Sequence, residues 1–401
     1  MSADRVRIDN NPQEKTMSPT RLRQTSRLRA AFVALALPSA LVGCSSSADS
    51  EAGSGEVSEA VSANVAEHLG APSTEYEGSA FDVSELEGGT VWWVTQYAGN
   101  PFLASIGRNL EQALQSVGVE MTTCDGKGNP VDANACIQQA ISQGADAIQV
   151  DGPEPATYAE TLGDAEGAGI PVLSGAAVDA STTELFPGLA GQTSQPFALT
   201  GEVAADWIIQ DSGGHADVLF LTTPDVVGSV TEQEAFEARL EDECADCSVT
   251  VKGVTLANWA NDLGTTTSSE LVRNPDIGYV VPAFDPMTQF TNPAIQQAGK
   301  SDVKVVTVNG NLPFLQDMAQ DPSLIQAMVG IDLGALAYLE ADQLLRAMAG
   351  EPTVEGATAP VRIFDDSNIG DLELDEASAD DGSWYAGTDA YAELFETLWE
   401  R

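Results

Sequence analysis

At 401 residues the chain carries 17 basic against 61 acidic side chains, a formal charge of −44, with 43% hydrophobic residues. That apolar content supports packed cores, and the length exceeds one ordinary core and suits two domains. So negative a surface repels phosphate backbones and anionic headgroups, which argues against nucleic acid as a partner and against polybasic attachment to membranes.

The first element in chain order is residues 30–44, AAFVALALPSALVGC, preceded by Arg21, Arg23, Arg27 and Arg29. A charged front and a short apolar middle are the pattern of a secretory signal peptide. The run is too short to span a bilayer, which takes roughly 20 residues. Its ending, Leu41-Val42-Gly43-Cys44, resembles a bacterial lipobox, which implies a lipidated Cys44 as the first residue of the mature protein. An ordinary signal with a chance Cys is the plainer alternative. Met17 gives a tidier signal than Met1. Without residues 1–43, seven basic and three acidic residues are lost, leaving 10 against 58 and a charge of −48. Residues 45–87, rich in Ser, Ala, Glu and Gly, read as a flexible acidic stalk with a reach of roughly 35 Å. Residues 56–69 there are compatible with a short helix, and nothing in the stretch demands a core.

From Gly89 onward strands and amphipathic helices alternate. Strands are expected at 90–95, 119–123, 147–150 and 171–173, with helices at 102–117, 133–143 and 156–166. In the first helix Leu103, Ile106, Leu110, Leu114 and Val117 fall on one face. The second half repeats the theme with strands at 218–222, 248–256, 277–281, 303–308 and 327–331, and helices at 231–240, 262–272, 287–298 and 333–349. A last helix is expected at 391–399. Such alternation demands parallel sheets covered on both faces, so the chain reads as two doubly wound, Rossmann-like α/β lobes. Ligands of such sheets bind outside the strand C-terminal ends.

Four cysteines follow Cys44. An even number in an oxidising exterior invites pairing, and Cys124 to Cys136 with Cys244 to Cys247 is the simplest of three connectivities. The Cys244-Ala245-Asp246-Cys247 spacing also suits a redox dithiol or half a zinc site, but the chain has two histidines and no second such motif.

The strand ends carry Asn100-Pro101-Phe102, Asp151-Gly152-Pro153-Glu154, Ser174-Gly175-Ala176, Phe284-Asp285-Pro286-Met287 and Asn309-Gly310-Asn311. Together with Gln143-Gly144-Ala145-Asp146 and Gly169-Ile170-Pro171-Val172, this set resembles the type I periplasmic binding proteins, in particular the ribose- and galactose-binding receptors of ABC transporters. The resemblance covers nearly all of 89–401. It implies a Venus-flytrap with lobe 1 at 88–177 plus 331–357 and lobe 2 at 178–330 plus 358–401. The implied three-crossing hinge lies near 176–178, 330–331 and 355–360.

By the same resemblance the ligand-binding residues are Asn100, Phe102, Glu154 and Ala176 from lobe 1 and Trp259, Phe284, Asp285 and Asn309 from lobe 2. Each has a plainer reading. Asn100 and Asp285 precede prolines as helix caps do, and Glu154 suits a helix start. Asn309-Gly310 is a common turn, and Phe102 and Trp259 fit packing positions. Two departures stand out: no Arg occurs in 224–231, and Phe284 occupies a position that is usually polar. The segment 366–371 starts like a calcium loop, but Ala377 stands where a Glu is required; no metal or cofactor is expected.

The resemblance implies a monomeric, non-catalytic receptor, exported and held at the outer face of the cytoplasmic membrane by lipid on Cys44. It would deliver a sugar or sugar-like small molecule to an ABC permease. The competing readings are a receptor that presents its closed form to a membrane sensor kinase, and an exported glycosidase using Glu154 and Asp285. No Gly-x-Ser-x-Gly, His-Glu-x-x-His or phosphate-loop motif occurs.

Overall fold

A computed structural model of the protein describes residues 57–401 apart from 74, 75, 183 and 381. The signal segment and Cys44 lie outside the described residues.

The first lobe is built on β2 (Thr90–Thr95), β3 (Glu120–Asp125), β4 (Ala147–Asp151), β5 (Val172–Gly175) and the short β6 (Gly191–Gln192). These form one parallel sheet in the order β3-β2-β4-β5-β6. Its helices are α2 (Pro101–Ser116), α3 (Pro130–Gln143) and α4 (Ala159–Ala168). Each begins or ends on a local signal. Asn129 caps α3 ahead of Pro130, and Gly144 and Gly169 close α3 and α4 with left-handed backbone. All five residues of β4 are buried, as a strand covered on both faces requires.

The second lobe carries β7 (Asp217–Thr222), β8 (Ser248–Gly253), β9 (Tyr279–Pro282), β10 (Lys304–Asn309), β11 (Ile325–Ile331) and β12 (Val361–Asp365), in the order β12-β11-β10-β9-β7-β8. Only β12 runs antiparallel to its neighbour in that sheet. Around it lie α5 (Phe197–Ser212), α6 (Val227–Glu243), α7 (Gly264–Arg273), α8 (Thr288–Gln297) and α9 (Leu312–Met318). Helix α10 (Leu333–Ala349) follows β11 back into the first lobe, where it packs on α2 and β4. The expected disulfides, Cys124 to Cys136 and Cys244 to Cys247, are both formed.

Three expectations change. The first crossing lies later than 176–178, because β6 still pairs with β5; the chain leaves lobe 1 at about 193–196, where Ser194 bridges Thr358. Helix α5 was not anticipated: it is buried on nearly every side from Thr200 to Ile209, so it shows no polar face to mark its period. The described part of the 45–87 stretch is a folded strap rather than a stalk. Helix α1 (Glu59–Leu69) packs on α5 and β12, with Val61 and Val65 at 0% and 1% exposure. The chain then crosses to the first lobe, where β1 (Phe81–Asp82) pairs with β13 (Trp399–Glu400).

The C-terminal segment makes the matching passage. After β12 it runs through α11 (Glu376–Asp380) and α12 (Thr388–Leu398), and α12 packs on α10, so residues 388–401 belong with the first lobe and not the second.

Polar contacts fix α1 in place. Asn64 Nδ2 donates to Asp206 Oδ2 at 2.7 Å, and the Arg239 guanidinium grips Asp206 with Nε at 2.7 Å and Nη2 at 2.9 Å. Asp206 is fully buried. Removing one partner of a buried pair leaves the other charge uncompensated, at roughly 3–5 kcal/mol. Arg239→Ala, which leaves the buried Asp206 carboxylate with only the Asn64 amide, is therefore expected to destabilise the fold by about 3 kcal/mol in urea denaturation, with m unchanged. Asp206→Ala, which leaves a part-exposed Arg239 still paired with Glu243 at 3.4 Å, should cost less.

Candidate functional site

The C-terminal ends of the central strands in both sheets open towards a cleft between the lobes. A cavity of about 400 Å³ is walled by Pro101, Ser105 and Arg108 of α2, the 310–313 turn, the 331–334 crossing and parts of 376–385, and none of the eight expected ligand residues is in its lining.

On the second lobe, Phe284 and Asp285 follow β9 and Asn309 closes β10. Asp285 is fully buried, and both its oxygens are held by Asn311: the backbone N–H at 2.8 Å and Nδ2 at 2.7 Å. Burial pushes the Asp285 carboxyl up to about 7, while donors from Asn311, Gly310 and Asn309 pull it back towards the ionised form. The turn that supplies those donors is strained: Asn309 has φ of +111° and Gly310 +86°. A side chain held at such a φ persists only where its surroundings determine it.

Trp259 opens a single π-helical turn, Trp259–Leu263, after β8. Its indole N–H donates to Thr223 Oγ1 at 3.1 Å, at the end of β7. Its ring meets Phe284 at 6.3 Å between centroids with a 43° tilt. Trp259, Phe284, Asp285 and Asn309 are thus brought together, with Thr223 and Asn311 beside them.

The first-lobe residues are more scattered. Asn100 caps α2, its Oδ1 accepting from the Phe102 N–H at 2.9 Å, and Phe102 is half-buried. Glu154 is exposed at the start of a short 3₁₀ turn and makes no capping bond. Ala176, the residue after β5, has φ of +53°, so a strained non-glycine residue stands at a strand end in each lobe.

Beside Gly175 lies a buried acid pair, of which the strand-end motifs show Asp151 and not Glu340. Asp151, at the end of β4, accepts from Trp93 Nε1 at 2.5 Å and Gln149 Nε2 at 2.7 Å. Glu340 of α10 sits against it and accepts from Thr193 Oγ1 at 3.2 Å. Burial raises both carboxyls, Asp151 to about 6, and the negative charge of Asp151 raises Glu340 further. Gly175 makes the space: a Cβ there would fall 2.2 Å from Glu340 Oε1 and 2.4 Å from Asp151 Oδ1. Asp332, the residue after β11, caps α10 through the Ala335 N–H at 3.1 Å and accepts from the Tyr391 hydroxyl. Its place directly after a strand was a sufficient signal. Tyr385 and Arg108 also line the cavity, but no local pattern pointed to them.

A family model for the periplasmic binding protein domain matches residues 91–352. The ribose import binding protein of Escherichia coli (strain K12) is 24% identical over 262 residues, 64% of this chain and 85% of that protein. A sugar ABC transporter protein of Yersinia enterocolitica superposes with a TM-score of 0.65 at 18% identity, covering 80% of this chain and 98% of the other. The 5-methylthioribose transporter solute-binding protein of Thermotoga lettingae gives 0.62 at 18% identity, over 77% and 93%.

The Asp285 environment sets a pH dependence. A carboxyl raised on folding holds its proton more tightly in the native state, so its contribution is full below the unfolded value near 3.8 and is lost as pH rises through about 7. A shift of that size corresponds to roughly 4 kcal/mol at 1.36 kcal/mol per unit. Asp285→Asn should therefore gain stability relative to the unmodified chain between pH 4 and 7.5. Urea midpoints measured across that range test it, and a constant difference would contradict the assignment. The two sheets, their topology and the match over 91–352 agree: the chain belongs to the periplasmic binding protein family, with the type I fold.

Proposed function

We propose that the protein is an extracytoplasmic receptor that binds a sugar or sugar-like solute in the cleft and delivers it to an ABC import permease. The observation that carries this reading is the second-lobe wall, where the Trp259 and Phe284 rings stand beside the Asp285 and Asn311 pair. A sugar offers an apolar ring face to aromatics and hydroxyls to fixed polar groups; the half-buried Trp259 and Phe284 rings suit the first, and Asn311, held by the buried Asp285 and bordering the cavity, suits the second. Relatives named for ribose import and for 5-methylthioribose support the class of solute. Asn100, Phe102, Glu154 and Ala176 would approach from the first lobe, with Asn309 opposite.

Binding energy that favours the closed state would shift the lobes together about the crossings at 193–196, 331–333 and 355–360, and the closed form would dock the permease. No catalytic step is required of any residue. The lipobox reading assigns Cys44 the tether that keeps the receptor at the outer face of the membrane.

Isothermal titration against pentoses, hexoses and polyols is expected to give heat with at least one sugar. Trp259→Ala should weaken that sugar about tenfold or more, a loss of roughly 1.4 kcal/mol or above. No heat from any panel member would count against the receptor reading. Cys44→Ala should appear in the culture medium, and its retention with the membrane fraction would remove the tether.

A further inference from the structure

The C-terminal segment 372–386 does not stay on the outer surface. It is fastened to the second lobe by Gln316 Nε2 donating to Leu374 O at 2.8 Å and by the Arg362 guanidinium donating to Trp384 O. The Trp384 indole N–H closes the segment on itself through Glu373 O at 2.8 Å. These bonds drive Tyr385 inward, where its ring meets Phe364 of β12 edge-on at 5.6 Å and 79°.

The Tyr385 hydroxyl then lies over two bare strand ends. A Cβ at Gly330, near the end of β11, would come 2.4 Å from that oxygen, and one at Gly310, just past β10, 2.9 Å. Both positions sit where a doubly wound lobe presents side chains to its ligand, and in this chain both lack one. A hydroxyl from a remote segment occupies the space instead.

Tyr385 is 7% exposed and is one of the residues that border the cavity with Gly310, Asn311 and Asp332, and its buried hydroxyl has no hydrogen-bond partner among the described residues. A buried hydroxyl left without a partner is costly and uncommon. Burial and the neighbouring charges of Asp332 and Asp285 hold the phenol protonated, so it offers one donor and two acceptor sites. Across the cavity, Arg108 of α2 binds Asp380 Oδ1 with Nε at 3.1 Å and Nη2 at 3.0 Å, so the same segment touches the first lobe as well.

We propose that segment 372–386 is part of the solute-binding site, with the Tyr385 hydroxyl hydrogen-bonding a hydroxyl of the bound solute. The inference rests on the receptor reading above and adds to it a ligand-reading residue from outside the strand-end set. A solute bearing a hydroxyl at that point is accepted; one with hydrogen there leaves the phenol unsatisfied and is discriminated against.

The test is titration of the full chain and Tyr385→Phe with D-ribose, D-allose, D-tagatose and 5-methylthioribose, followed by monodeoxy derivatives of whichever sugar binds. The Phe variant keeps the ring against Phe364, so its thermal midpoint serves as the folding control. Expected is a Kd weakened about tenfold for the parent sugar, with one deoxy derivative binding both proteins equally. Hydrogen exchange on the unsubstituted chain supplies a second measurement that needs no variant: amides of 372–386 should gain protection when that sugar is added. A parent Kd within twofold, equal penalties for every deoxy derivative, or unchanged exchange over 372–386 would each overturn the role of Tyr385 while leaving the receptor reading intact. No heat from these four or from any pentose, hexose or polyol of the wider panel with the unsubstituted chain would overturn the receptor reading, and this inference with it.

Discussion

The rest of the structure hangs on the charges that α10 carries into the interior. Asp342 and Arg346, one turn apart, form a buried pair with Nε to Oδ2 at 2.6 Å. A pair in that position stabilises only if its remaining donors and acceptors are also met. The chain meets them with its two ends. From the N-terminal strap, the Tyr76 hydroxyl donates to Asp342, and Ser79 O accepts from Arg346 Nη2 at 2.7 Å while Phe81 stacks under the guanidinium at 4.4 Å. From the C-terminus, Trp399 Nε1 donates to Asp342 Oδ1 at 2.9 Å. The straps are therefore what makes burial of that pair tolerable, and the parallel pairing of β1 with β13 follows from both being clamped to one helix.

The same economy runs through the acidic composition. Residues 44–401 hold ten basic side chains, and every one has a structural partner. Five besides Arg108 and Arg346 pair with carboxylates: Lys127 with Asp132, Arg239 with Asp206, Lys252 and Arg273 with Glu270, and Lys304 with Asp211. Lys300, Arg362 and Arg401 donate to the carbonyls of Pro275, Trp384 and Ser116. Basic residues act here as staples rather than as a recognition surface. What faces water is consequently acid, and the self-repulsion it creates is offset by burial and screened by salt.

Much of this was legible in the sequence wherever a local signal sets the structure. Strand ends announced themselves through Asn-Pro, Asp-Gly and Asn-Gly steps, and β2, β7 and β10 fall within a residue or two of the expected spans. The cysteine pairs that form are the simplest of the three connectivities the spacing leaves open. Elements without contrast were harder to see. Helix α5 has no polar face, β6 is two residues long, and the 57–87 stretch is polar in composition yet docks through Val61 and Val65. The site divides in the same way: Asp285 and Asn309 sit at strand ends that motifs reveal, whereas Glu340, Tyr385 and Arg108 reach the cleft region only through tertiary packing, which no spacing encodes.

Two extra passages between the lobes bear on how the fold moves. Besides the three crossings of the hinge, the described residues cross once after α1 and once between β12 and α12. Extra connections usually oppose domain motion, but the C-terminal passage is fastened through the Tyr391 hydroxyl to Asp332, beside the 331–333 crossing. A strap fixed close to the hinge axis travels a short arc while the cleft mouth travels a long one, so closure is compatible with that passage. The exception is the Arg108 to Asp380 contact, which lies on the cavity wall away from that anchor. Both side chains are exposed, with relative accessibilities of 56% and 55%, and exposed pairs contribute at most about 1 kcal/mol. The contact is thus strong enough to register the segment against the first lobe and weak enough to break when the lobes part.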